Sequence, residues 1–141
     1  MPVKHLAVDP ITADPDASLK SVAETMDEEG IGDVIITNGQ KPAGIVTDRD
    51  VAMAFAEHDD AQDLHAADVM SEDPVTVEGD AEAVELPRKM AEGRVRRIPV
   101  VDADGALTGV ATLDDVVAVA GEELKNIATV IESQSPDYSP G

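Results

Sequence analysis

Gly44-Ile45-Val46-Thr47-Asp48-Arg49-Asp50 and Gly109-Val110-Ala111-Thr112-Leu113-Asp114-Asp115 are two copies of one pattern: Gly, two apolar residues, Thr, two residues, Asp. Apolar residues ahead of the Thr suit the buried end of a strand. Thr followed three residues later by Asp suits a capping box at a helix start. Each stretch therefore predicts a strand running directly into a helix. The first turn of such a helix carries free N–H groups and a partial positive charge, a setting that favours an anionic ligand.

The sequence around both stretches repeats as well. Asp9-Pro10-Ile11-Thr12-Ala13 returns as Asp73-Pro74-Val75-Thr76-Val77, and Ile31 to Ile36 returns as Val95 to Val100. The second hairpin loop, Asp102-Ala103-Asp104-Gly105, is one residue longer than the first. A hairpin tip is where a repeat tolerates an insertion. Ser18 suits an N-cap, and Leu19, Val22, Ala23 and Met26 fall on one helical face that Gly30 and Gly32 end. Asn38-Gly39 is a hairpin turn. Asp48 to about His58 forms the next helix, with Val51, Ala54, Phe55 and His58 on one side.

Each unit thus reads strand, helix, strand, strand, helix, which makes the chain α/β. Residues 8–60 are expected to form the first unit and residues 61–72 an acidic, Ala-rich connector. Residues 73–132 form the second unit, with an extended C-terminal helix, and residues 133–141 a disordered tail. Pro87 falls inside the second unit's first helix. An interior Pro costs roughly 3 kcal/mol, so the helix should kink there or start just before it. The last helix carries an apolar face of Val116, Val117, Ala120, Leu124, Ile127, Ala128 and Ile131. That face outruns what one small unit can cover, and it predicts packing on a partner subunit or on the neighbouring unit.

Composition bounds the function. Thirty acidic residues against ten basic ones give a net charge of −20, well beyond the roughly 2–8 charges of an ordinary small domain. The charge is spread along the chain, which favours a protein working in high salt, where charges are screened within about 3 Å at 1 M. It also argues against a nucleic-acid partner held through phosphates. There is no Cys, hence no disulfide and no thiolate. His5, His58 and His65 are scattered, with no metal-ligand spacing. No Ser-nucleophile motif or Gly-rich phosphate loop is present, so no enzyme, no cofactor and no metal are expected. No apolar run reaches the roughly 20 residues of a membrane span, and Met1-Pro2-Val3-Lys4-His5 does not open a signal peptide. The default is then a cytoplasmic protein, and the Met start and acidic tail lead to the expectation of a complete small protein.

The paired Gly-x-x-Thr-x-x-Asp stretches, the Asp-Pro-Val-Thr-Val opening and Arg97-Ile98-Pro99-Val100-Val101-Asp102 resemble the cystathionine-beta-synthase (CBS) domain family over about Val8 to Gly121. Two such units in tandem form a Bateman module. The resemblance implies two units packed through their sheets with pseudo-two-fold symmetry, ligand clefts between them, and pairing of two modules into a homodimer. It implies a regulatory sensor of adenosine-containing ligands (AMP, ADP, ATP) that acts on a regulated protein the sequence does not name.

Carried over by position, Thr47 and Asp50 belong to one site, with Ile11 and Thr12 along its adenine wall. Thr112 and Asp115 belong to the other, with Val75, Thr76 and Val77. Arg94 stands where family members often place a phosphate-binding base, and which cleft it serves stays open. The first unit has Gly30 at that position, and its Asp33 aligns with Arg97, so it brings no cation of its own. The competing readings are structural. The Thr/Asp pairs also serve as helix caps, and Arg94, Arg96 and Arg97 also serve as surface partners for nearby carboxylates. On those readings the clefts are empty or degenerate, and the chain is a structural or dimerisation module.

Overall fold

The computed structural model describes residues 1–134. In the first unit, β1 (Thr12–Ala13), α1 (Leu19–Glu29), β2 (Asp33–Asn38), β3 (Lys41–Thr47) and α2 (Asp48–Glu57) follow in order. Then come a short α3 (Ala66–Val69) and β4 (Ser71–Glu72). The second unit holds β5 (Val77–Glu78), α4 (Leu86–Gly93), β6 (Arg97–Val101), β7 (Leu107–Thr112) and α5 (Leu113–Gln134). One sheet has the order β1-β2-β3-β4 and the other β5-β6-β7. In both, the opening strand lies parallel to the next and the hairpin is antiparallel.

The local expectations hold where a nearby side chain enforces them. Ser18 Oγ accepts from the Ser21 N–H, and Leu19, Val22 and Met26 are buried. Gly30 ends α1 at φ +64°. Pro87 sits in the first turn of α4, which begins at Leu86 after a single 3-10 turn. A missing N–H costs nothing there, because first-turn N–H groups have no helical partner.

Other expectations need correction. The opening strands are short: Ile11, Val75 and Thr76 lie outside them. On α2 only Ala54 is buried, and Phe55 is exposed. Ser133 and Gln134 belong to α5, so the expected tail does not begin at 133; its residues 135–141 lie outside the described region.

The larger departure concerns the two segments ahead of the units. Residues 61–72, expected to be a connector, build the first unit. Ala61 and Ala66 are buried in its core with Leu64, Val69 and Met70 against them, and β4 pairs with β3. The N-terminal segment does the same for the second unit. Val3 is fully buried among Val77, Leu86, Met90, Ile98, Val100 and Ala111. Val8 bridges Val110 as Ser71 pairs with Ile45.

The backbone bonds match as well. Val3 N–H donates to Ala81 O and Lys4 N–H to Gly79 O, as Ala66 N–H donates to Ala17 O and Ala67 N–H to Pro15 O. The chain therefore starts on the second unit, crosses to the first, and crosses back.

That crossing explains the glycine of the repeated pattern. A Cβ on Gly44 would fall 2.6 Å from Met70 Sδ and 2.7 Å from the Ser71 carbonyl oxygen. One on Gly109 would fall 3.0 Å from Ala7 Cβ and from Val8 O. Each glycine lies under the segment that crosses its sheet, where only a bare Cα leaves room.

Candidate functional site

The two strand-to-helix junctions meet. Thr47 and Thr112 line one cleft of about 520 Å³ together with Gly32, Asp33, Asp48, Arg94, Arg96, Arg97 and Asp114. Its lining contains repeat equivalents from both units: Gly32 and Arg96, Asp33 and Arg97, Thr47 and Thr112. A second, smaller cavity of about 140 Å³ adjoins it through Asp33, Ile45 and Arg97, and is lined by apolar residues including Ile11, Ile31, Ile35, Pro99 and Val110. Together they offer a polar mouth with a narrower apolar recess.

At each junction the Thr caps its helix. Thr47 Oγ1 accepts from the Asp50 N–H at 3.1 Å, and Asp50 Oδ2 accepts from the Thr47 N–H at 2.9 Å. In the second unit Thr112 Oγ1 accepts from the Asp115 N–H at 3.2 Å but donates its own hydroxyl hydrogen to Asp115 Oδ2 at 2.8 Å. The caps are therefore chemically unequal. Asp115 takes up the hydroxyl hydrogen of Thr112, while the Thr47 hydroxyl makes no such bond to Asp50. Asp48 N–H donates to Gly32 O and Leu113 N–H to Arg96 O, so the first helical N–H of each junction is tied to the strand entry beside it.

The charges are unequal too. Arg94, Arg96 and Arg97 all come from the second unit, and the facing positions of the first are Gly30, Gly32 and Asp33. Arg97 Nε and Asp33 Oδ1 form an ion pair across the two units at 2.9 Å, with side chains 34% and 21% exposed. Burial pushes the Asp33 carboxyl above its ordinary value; Arg97 opposes that rise and Asp48 adds to it. Among the described residues Arg94 and Arg96 form no ion pair.

Arg94 has φ +53° and ψ +44°, a left-handed conformation at the end of α4. Its repeat equivalent Gly30 has φ +64° and ψ +38° in the same role. A Cβ makes that conformation cost roughly 1–2 kcal/mol. An arginine held where glycine fits without strain points to a task for its side chain.

The expected site residues divide. Thr47, Thr112 and Arg94 line the central cleft together. Asp50 and Asp115 stand half-buried in the first turns of their helices, outside the lining of the cleft, Asp50 Oδ2 on the Thr47 N–H and Asp115 Oδ2 on the Thr112 hydroxyl. Ile11 lines the apolar recess. Thr12 is exposed on β1, lining neither cavity, and Val75 packs toward Gly93. Thr76 and Val77 line a separate open depression on the second unit with Glu78, Glu85 and Lys89. Sequence reasoning passed over Asp48, Asp114 and the contact between Asp33 and Arg97. The signal for that contact was available: equivalent positions close to a pseudo-two-fold axis face each other.

Among the described residues no group of three or more acidic or histidine side chains is placed to hold a metal. No described helix is long and apolar enough to cross a membrane.

Comparison with known proteins matches the CBS domain to residues 3–57 and again to residues 66–122. An uncharacterised protein of Methanopyrus kandleri is 36% identical over 113 residues, which is 79% of this chain and 58% of that one. The inosine-5'-monophosphate dehydrogenase of Korarchaeum cryptofilum is 37% identical over 108 residues, 77% of this chain and 22% of the enzyme. The chain thus spans little more than half, or far less, of these relatives' lengths.

Among solved structures, the CBS domain pair of protein MJ0100, in complex with 5'-methylthioadenosine and S-adenosyl-L-methionine, superposes with a TM-score of 0.77 at 25% identity. That match covers 87% of this chain and 98% of the other. CBSX2 in complex with AMP gives 0.75 at 25% identity, covering 86% and 96%.

Proposed function

We propose that this chain, which belongs to the CBS domain family, is a regulatory sensor that takes an adenosine-containing ligand such as AMP, ADP or ATP into its central cleft. One observation carries the reading: the cleft joins two capped helix starts and three arginines to an apolar recess. That combination suits a ribose-phosphate with a flat, largely apolar base attached. Its volume of about 520 Å³ falls inside the roughly 300–1,000 Å³ usual for small-ligand sites. Similar CBS pairs carry adenosine compounds, which supports the choice of ligand. The match is to the CBS domain, the matched stretch is 22% of the length of the dehydrogenase relative, and no reaction is assigned.

In the proposed site, Arg94 and Arg97 face the phosphate, Thr47 and Thr112 the ribose-phosphate junction, and Asp115 and Asp50 the sugar hydroxyls. Ile11 forms the adenine wall. Thr12, Val75, Thr76 and Val77 would need a ligand reaching beyond the cleft. Titration calorimetry in molar salt tests the reading. AMP should bind, and Asp115→Ala should weaken it about tenfold. Absence of heat from AMP and ATP alike leaves the dimerisation module as the account.

The remaining parts of the proposal concern assembly and setting. The apolar stripe of α5 leaves Val117, Leu124, Ile127, Val130 and Ile131 between 42% and 66% exposed, which supports a homodimer formed through that helix. The net charge of −20 supports a cytoplasm of high salt, because self-repulsion at low ionic strength works against the compact state. Sedimentation and thermal melts from dilute buffer to molar KCl should show a dimer and a rising melting temperature. A salt-independent melt removes the high-salt reading, and a monomer at all concentrations removes the dimer. A ligand shifts conformations only by its differential affinity for them, so a regulated partner protein completes the proposal.

A further inference from the structure

Asp33 is misplaced for a simple anion site. It is an acidic side chain on the wall of a cleft that gathers three arginines, and it sits where both cavities join. Its equivalent in the second unit is Arg97, and the two meet at 2.9 Å. The resident carboxylate therefore occupies one face of the guanidinium that an entering phosphate would use.

We propose that entry of a phosphate-bearing ligand into the central cleft is coupled to protonation of Asp33, so that this residue sets the pH range over which the cleft accepts anions. The inference rests on the nucleotide reading above. Two like charges held close in a partly dry site disfavour each other's ionised forms. A phosphate drawn to Arg94 and Arg97 lies beside Asp33 and competes with it for Arg97, and the repulsion is relieved when the Asp33 carboxyl takes a proton from the solvent that fills the open cleft.

The surroundings reinforce this. Asp48 at the start of α2 and Asp114 on α5 add negative charge from the two helices, and Asp9 adds more beside the recess. Arg97, Arg96 and Arg94 at the entry to β6 oppose it. Burial already holds the Asp33 carboxyl above its ordinary value of 3.8 in spite of Arg97, and Asp48 adds to the rise.

The sign follows from linkage. A bound anion raises the Asp33 pKa further. Affinity is then greatest below the pKa of the free protein and falls as pH rises from that value to the higher value in the complex. Asparagine at this position keeps a carbonyl oxygen for Arg97 but cannot ionise, so it should bind tightly throughout.

The experiment is calorimetric titration of the full chain and of Asp33→Asn with AMP and with adenosine, between pH 4.5 and 8 at fixed molar salt. Two buffers of different ionisation heat report the protons taken up. The phosphate ionises near pH 6 in its own right and titrates with Asp33 as a coupled pair, so the difference between the two proteins reports the proton uptake that requires Asp33. The expected result is AMP binding with extra proton uptake in the wild type only, and an Asp33→Asn protein that binds AMP about tenfold more tightly at pH 8. Adenosine should show neither effect. Equal AMP affinity and equal proton uptake in the two proteins overturn the coupling and leave the nucleotide site standing. No binding of either ligand to either protein overturns the site, and the coupling with it.

Discussion

Val3→Asp is expected to unfold the second unit first and to lower the stability of the chain by about 4 kcal/mol, the range for an unpaired charge forced into a core. Typical domains have only about 5–15 kcal/mol in total, so the loss is a large share. The reason is the crossing of the chain. Val3 is fully buried among Val77, Leu86, Ile98 and Val100, more than seventy residues away in sequence. The nearest cations in sequence are already paired at the surface: Lys4 with Asp80 at 2.8 Å and the Met1 ammonium with Glu82 at 3.0 Å.

Urea unfolding gives the stability, and native-state hydrogen exchange tells which half goes. Amides of β6 and β7 should lose protection before those of β2 and β3. His5→Asp, in the same segment but exposed, should cost less than about 0.5 kcal/mol. An unchanged midpoint for Val3→Asp would mean that the segment does not pack where the structure places it.

Arg94→Gly is expected to move stability and affinity in opposite directions. Glycine adopts φ +53° without the Cβ clash, as Gly30 does at the equivalent position. The variant should gain about 1 kcal/mol, or about 3 °C in melting temperature for a chain of this size. It should also lose one charge-assisted contact to phosphate, about 2 kcal/mol, which is roughly thirtyfold in the Kd for AMP. Adenosine, which lacks the phosphate, should bind both proteins alike. A stabilised protein with unchanged AMP affinity would show that Arg94 carries strain for some other purpose. A destabilised one would show that its side chain holds the fold together.

The repeat was legible because its parts are local. Ser18 caps α1 through a residue three positions on, Thr47 and Asp50 close a box within four residues, and Gly30 and Gly39 turn the chain where they stand. The same locality made the site half-legible. Thr47 and Thr112 were named from their repeated motif and Arg94 from the family resemblance, and all three line one cleft. Val75, Thr76 and Val77 were also placed by analogy with the family, and here none of them lines that cleft; Val77 lies in the second unit's core.

The sequence by itself determined the order of elements, the doubling, the caps and the charge, since each rests on contacts within a few residues or on composition alone. Tertiary structure decided which unit each leading segment completes, and with it why Gly44 leaves no room for a Cβ and Gly109 very little. It also decided that Asp33 and Arg97 meet and that both Thr residues open on one cleft. Those outcomes depend on groups brought together by long loop closures. A segment that packs on its own unit and one that crosses to the other carry the same local pattern, so only the folded chain distinguishes them.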